Sequence, residues 1–411
     1  MSSADRALRG LTWLMFLVTA MTTNVVGVLI PEVARAYGLN LTQAGGLQYA
    51  TMAGIALAGL FLGNMVDRRG RRITVALGLA AFAAASALIA INHGLAPLLA
   101  LLFVSGLAVG VFKTGAIALI GDLARSPAEH TREMNVVEGF FAVGAIAGPP
   151  VVARLLAAGL PWTALYGLAA ALTLALLVLA VRLPFPPSRG PTGPSGFDLS
   201  STLAVARDQH ALGFAACIFL YVGVETAIYV WMPTLLAAEG AKALLPGAYA
   251  LSTFFVLRAV GRFVGAWTLD RLGWQRALAV CALAILLCFG GALAGGLQAT
   301  AMLLPLSGLF MSVLYPTLNS KAISGFPTAR HGAAAGFILF VTCLSAVVSP
   351  LAIGAVSDLF GGPRAGFALA TGMALILAGA LVFNAVRDPS RARLEPTRSD
   401  GTSETDQQVR L

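Results

Sequence analysis

Five charged side chains interrupt stretches that are otherwise apolar: Lys113, Glu138, Glu225, Arg258 and Arg262. In a bilayer each such charge costs about 2.5–3.5 kcal/mol or more, so each calls for a function or a partner. Lys113 and Arg258 can hold an anion, Arg as a bidentate fork and Lys as a point charge. Glu225 can carry a proton, because its charge depends on whether a cation stands beside it. A substrate that draws Arg258 or Lys113 away from Glu225 would couple proton uptake to transport. The competing reading is structural pairing, with Glu225 simply neutralising Arg258 or Lys113. Arg262 lies one turn from Arg258 on the same helix face. Glu138 is expected about one turn into its helix, at a depth that suits either a gate or a second proton-coupling group.

The elements that must position these residues follow from composition. Of 411 residues, 58% are hydrophobic and only 11% charged, against about 25% in soluble proteins. That is too few charges for a water-facing skin and too much apolar mass for disorder. Four cysteines exclude a disulfide-stapled scaffold. An all-α membrane protein remains, since hydrocarbon leaves no backbone group without an internal partner. Apolar runs predict twelve helices, at about 11–35, 42–65, 73–92, 97–122, 135–158, 161–182, 211–237, 246–269, 276–296, 299–320, 332–357 and 365–386. With both termini cytoplasmic, the outer loops hold only Arg35, Arg154, Lys242 and Arg364 of the 27 Lys and Arg, which satisfies the positive-inside rule. The net charge of +9 is then explained by sidedness and lipid headgroups, and no basic patch with interleaved aromatics points to nucleic acid. The first run is too long for a signal peptide's apolar core and reads as a retained helix.

A Pro- and Gly-rich break divides the chain. It predicts a six-helix half at 1–182, a cytoplasmic linker at 183–208, a second six-helix half at 209–386 and a disordered cytoplasmic tail at 387–411. An internal repeat supports the division. Gly63-Asn-Met-Val-Asp67-Arg68-Arg69-Gly70-Arg71-Arg72 follows helix 2, and Gly265 to Arg276, with Asp270, Arg271 and Gly273 at matching places, follows helix 8.

The first of these loops resembles the Gly-x-x-x-Asp-Arg-x-Gly-Arg-Arg signature of the major facilitator superfamily. The resemblance implies a rocker-switch transporter with its substrate site between the halves near the midplane. Gly63, Asp67 and Arg71 would then form a gate latch, Asp67 pairing with Arg71, and Asp270, Arg271, Asp122 and Arg262 would join the gating set. Helices 1, 4, 7 and 10 would line the cavity and helices 2, 5, 8 and 11 flank it. Lys113 and Glu225 would face each other from opposite halves, and Asn24, Tyr221, Tyr315 and Asn319 would add polar contacts, with Gln48 and Tyr229 as further polar positions. Gly144-Ala-Ile-Ala-Gly148-Pro149-Pro150 is similar to part of an antiporter signature in helix 5, with Val151 and Val152 in place of its downstream glycines. Phe219-Leu-Tyr221-Val-Gly223-Val-Glu225, followed by Trp231, resembles helix 7 of the fucose and glucose permease-like branch. Lys113-Thr114 falls where some of those sugar carriers have Glu-Thr, and a base there weighs against a sugar. Trp231 can equally be an interfacial belt residue near the outer surface.

No phosphate-binding loop, zinc-protease motif or Cys cluster occurs, so no cofactor and no enzyme activity are expected. The expected function is alternating-access transport of a small polar solute across the inner membrane by a monomer, driven by protons or a solute gradient. An organic anion or zwitterion is favoured because bases outnumber acids around the site. A fucose-permease-like sugar:proton symporter, a drug or metabolite efflux antiporter and a non-transporting membrane scaffold are the alternatives.

Overall fold

The computed structural model describes residues 3–58, 69–124, 127–186, 204–238, 244–327, 330–389 and 394. Twelve helices run back and forth, numbered here in chain order. In the first half, α1 is Ser3–Thr23 continued as Val26–Tyr37, α2 is Gly46–Leu57, α3 is Arg71–Ala90, α4 is Leu95–Leu123, α5 is Pro127–Ala157 and α6 is Ala164–Arg182. In the second, α7 is Gln209–Thr226, with a π-helical turn at Ala227–Trp231 and a last stretch at Met232–Ala238, and α8 is Leu244–Leu272. One continuous helical stretch, Trp274–Met311, contains both α9 and the start of α10, which continues as Leu314–Ser324. His331–Leu359 is α11 and Pro363–Arg387 is α12.

The long stretch is two crossings because it turns back at Gly296, whose φ of 71° suits only glycine. A Cβ placed on Gly291 would lie 2.7 Å from the Leu303 side chain, whereas twelve residues of straight helix span about 18 Å. Eight helical stretches are long and apolar enough to cross a bilayer by composition, and the bent α1 pair makes nine. Splitting Trp274–Ser324, and adding α2, described only in part, and the charge-bearing α8, completes twelve.

Three details depart from the sequence expectation. The two parts of α1 meet at a 42° bend around Asn24, whose side-chain amide donates to the Ala20 carbonyl at 3.2 Å. Asn competes for backbone groups in this way, which makes it a helix interrupter. The α5 helix starts at Pro127, eight residues before the apolar run, because Pro at the first position and Glu129 in the first turn suit a helix start outside the hydrocarbon. Glu138 therefore sits about three turns into α5 rather than one. Trp231 is 1% exposed and donates its indole N–H to the Pro350 carbonyl at 3.2 Å, so it is a packing residue between helices and not a belt residue.

The two halves repeat the same close packing. Cβ atoms on Gly54 of α2 and Gly106 of α4 would lie 2.2 and 2.1 Å from facing carbonyls, and Gly261 of α8 and Gly308 of α10 stand in the same relation at 2.2 and 2.5 Å. Small residues let the backbones approach where lipid supplies no hydrophobic drive. Gly144 and Gly148 do the same for α5 against the Leu17 and Met21 carbonyls of α1.

Across the halves, contacts gather on the face opposite the termini, the far face. Ser252 of α8 donates to the Ile146 carbonyl of α5 at 2.9 Å. The Asp358 carboxylate at the end of α11 accepts from Leu41 N at 2.9 Å, from Thr42 N at 2.7 Å and from the Thr42 hydroxyl. The Trp231 ring edge fits against Gly45 and Gly354, where an added Cβ would come within 3.3 and 3.1 Å of it. These contacts join the halves on the far face, and residues of α5, α8 and α10 line a cavity toward the termini face.

Candidate functional site

That cavity measures about 550 Å³ and is lined by Glu138 of α5, Arg258, Arg262 and Leu269 of α8, and Ser312, Val313, Tyr315, Pro316, Thr317 and Ser320 of α10. The volume lies within the ~300–1,000 Å³ range of small-molecule sites. Arg258 stands at the midpoint of α8, and its guanidinium is in direct contact with the Glu225 carboxylate of α7. Glu225 is 8% exposed, and the Arg258 side chain 26% exposed toward the cavity. This is an ion pair within one half, joining two helices at mid-depth and accessible to a solute on its Arg side. Arg262 is exposed one turn nearer the termini face.

Lys113 of α4 does not reach that pair. Its ammonium lies 4.9 Å from the ring centres of both Phe16 of α1 and Phe141 of α5. A cation over two ring faces is held by their quadrupoles, worth about 0.5–2 kcal/mol. Glu138 is the carboxylate that both bases feel electrostatically, Lys113 from its own half and Arg258 from the other. Of Lys113, Glu225 and Arg258, which the sequence expected to share one site, only the last two touch.

Of the polar positions, Tyr221 is fully buried and donates its hydroxyl to the Met311 carbonyl at 3.0 Å, fastening α7 to the break between the two stretches of α10. Its ring stacks on Tyr315, with centres 6.3 Å apart. Tyr315 lines the cavity, its hydroxyl 3.3 Å from the Thr342 hydroxyl, and half-buried Asn319 follows one turn along α10. Asn24 is half-buried at the bend of α1, its amide turned back on its own helix. Gln48 is completely buried, with no hydrogen-bond partner for either amide atom.

The gating residues divide. Gly63 and Asp67 lie outside the described residues, as does the side chain of Asp270. Arg71 pairs with Asp122 at 2.9 Å, tying the start of α3 to the end of α4 within one half. Arg271 is exposed in the last turn of α8.

Sequence reasoning missed a second buried network. Arg9, assigned there only to sidedness, is 3% exposed; it contacts Glu133, pairs with Glu129 at 2.7 Å and donates to the Leu123 carbonyl at 3.1 Å. A signal was available. Glu129 and Glu133 are i,i+4 neighbours, a like-charge pair that destabilises a helix unless a cation stands between them. Phe16, Phe141 and the hydroxyls of Ser312, Thr317 and Ser320 carried no comparable signal, since such residues are common in any apolar helix.

With this geometry in view, comparisons with known proteins converge. The family model for the Major Facilitator Superfamily matches residues 12–350. The L-fucose-proton symporter of Escherichia coli is 26% identical over 384 residues, covering 84% of this chain and 86% of that one. A glucose/galactose transporter of Brucella abortus is 27% identical over 370 residues, 86% of this chain and 88% of that one. The 4-hydroxybenzoate transporter PcaK of Pseudomonas aeruginosa is 24% identical over 381 residues, 82% and 83%. Among solved structures, a bacterial homolog of the human lysosomal transporter Spinster, inward-facing and unoccupied, superposes with a TM-score of 0.80 at 12% identity, over 96% of this chain and 100% of that one. The fucose transporter FucP in its outward conformation gives 0.62 at 20% identity, over 91% and 98%. The chain is a multi-pass membrane transporter, not an enzyme, and it belongs to the Major Facilitator Superfamily.

Proposed function

We propose that the protein carries a small organic anion across the inner membrane together with a proton. The observation that carries this reading is the Arg258–Glu225 pair beside a cavity that Arg262 also enters. With Lys113, three bases face two acids, Glu225 and Glu138, so the site region favours a negative solute. The substrate carboxylate displaces Glu225 from Arg258. Glu225, left in a poorly solvated place without its cation, takes up a proton. Substrate and proton then travel together, and the neutralised site allows the halves to rock. The placement of Lys and Arg puts both termini in the cytoplasm, so the cavity faces inward.

The test is uptake in proteoliposomes with imposed pH gradients. Glu225→Gln should lose proton-driven accumulation while retaining exchange of labelled substrate. Accumulation that still follows the pH gradient would reject the proton-carrying role. A sugar:proton symporter is the second reading, supported by the fucose and glucose/galactose relatives. In that case Arg258 and Glu225 stay paired and both hydrogen-bond a neutral solute. Gly144 and Gly148 of the antiporter-like stretch pack closely against α1, a role that any helix bundle can give such glycines.

A further inference from the structure

The cavity has two unlike walls. The α5 and α8 wall is charged, with Glu138, Arg258 and Arg262. The α10 wall offers the hydroxyls of Thr317 and Ser320, beside Ser312, which donates to the Leu309 carbonyl at 2.9 Å, and Tyr315, which meets Thr342. Their depth is ordered. Ser312 stands near the middle of α10, level with Arg258 at the middle of α8, and Ser320 stands two turns nearer the termini face. From Ser312 to Ser320 the helix rises about 12 Å. The wall is adapted for a solute in a further way. The break between Met311 and Leu314 interrupts the helical ladder beside Ser312. The Met311 carbonyl at the break is taken by Tyr221, and Pro316, which has no N–H, leaves the Ser312 carbonyl without its usual helical donor. A face so supplied with acceptors and rotatable hydroxyls satisfies donors along the length of a solute, whereas Arg258 satisfies only its end.

From this we infer that the substrate is a hydroxylated carboxylic acid of about six carbons, of the sugar-acid or polyhydroxy-acid class, bound with its carboxylate at Arg258 and its hydroxyl chain along α10. The inference deepens the proposed anion transport and rests on it. It joins the two chemistries found among the relatives, sugars and aromatic carboxylates, in one ligand. Thr317 and Ser320 become specificity-determining residues. A plain carboxylate fills the Arg258 end and leaves the hydroxyl wall unused, while a neutral sugar fills the wall and leaves the guanidinium without an anion.

Three probes separate these possibilities: D-gluconate, hexanoate and D-glucose, each measured by thermal shift of the purified full chain and by competition in proteoliposome counterflow. Gluconate should bind at least ten-fold tighter than hexanoate and than glucose, the effect of two or three neutral hydrogen bonds or one charged one. The Thr317→Val, Ser320→Ala double variant should lower the gluconate-to-hexanoate affinity ratio about ten-fold. Neither site is deeply buried, so the variant keeps the fold. Equal binding of gluconate and hexanoate, or an unchanged ratio in the variant, overturns the hydroxyl wall and leaves the anion reading standing. Binding of glucose with neither carboxylate overturns both. Binding of none of the three overturns the hydroxy-acid inference, and hexanoate or gluconate uptake at high concentration then decides the anion reading.

Discussion

The two halves share an architecture but spend their charges differently. The N-terminal half places its buried ion pairs at the termini rim, where Arg9 meets Glu129 and Glu133 and Arg71 meets Asp122, all on short ties between neighbouring helices. Its one deep base, Lys113, is held by aromatic faces rather than by a contacting carboxylate. The C-terminal half places its ion pair at mid-depth, with the Arg258 side open to the cavity. A charge whose partner is fixed and enclosed stabilises a fold. A charge whose partner can be replaced by a solute can do work. The difference assigns the first half a scaffold role at the rim and the second half the exchangeable pair.

That contrast requires the halves to move as bodies, separating at the far face once per cycle. Joining them there has the largest expected effect. Cysteines at Thr42 and Asp358, bridged by a short bifunctional methanethiosulfonate, should abolish transport, and reduction should restore it. Single-cysteine variants treated alike control for the native Cys217, Cys281, Cys288 and Cys343. Undiminished transport after complete bridging would mean that the far face opens elsewhere.

Removing Arg9 probes the rim. Arg9→Ala strands Glu133 and Glu129, whose side chains are only 10% and 24% exposed. Leaving a buried pair half-made costs about 3–5 kcal/mol. Thermal unfolding in detergent should show the loss, with substrate affinity of the surviving folded protein unchanged. A stable Arg9→Ala protein with altered affinity would reverse the assignment. Arg258→Ala also strands a buried acid, Glu225, and so costs stability, but unlike Arg9→Ala it should lower substrate affinity about 10–100-fold in the folded protein, the worth of a charge-assisted hydrogen bond. The double variant Arg258→Ala, Glu225→Gln removes the stranded acid as well, so a stability loss in the single variant that the double variant repairs identifies its cause.

How much of this was legible before the structure follows from what each feature depends on. Hydrocarbon thickness sets helix length, so twelve crossings and the turn near Gly296 could be read from runs of apolar residues. The extension of α5 to Pro127 could not, because a helix that continues into water leaves no hydropathy signal. The bend at Asn24 and the π turn at Ala227–Trp231 carry only local signals, Asn24 and Pro31 for the first and Pro233 for the second, which hydropathy does not register. Which charges pair was also hidden. Glu225 had two candidate bases, Arg258 and Lys113, and Arg71 was matched with Asp67 although it also pairs with Asp122 on the next helix, so only the packing of neighbouring helices decides.

The smallest effect is expected at Lys113, and it bears most directly on the contrast between halves. A base clasped by Phe16 and Phe141 at 4.9 Å each is either a structural plug or a long-range electrostatic contribution to the anion site. Lys113→Met keeps the length and the contact with the rings while removing the charge. If the residue is a plug, the loss of cation–π attraction, about 0.5–2 kcal/mol, is offset by a thioether that packs well on aromatic faces, and neither stability nor transport changes. If its charge helps attract an anion, affinity falls a few-fold with stability unchanged, and the loss diminishes as salt rises because screening replaces what the ammonium supplied. Uptake measured at low and high ionic strength separates the two outcomes. A salt-independent change would place Lys113 with the scaffold of its own half, leaving Arg258 and Arg262 as the bases that meet the solute.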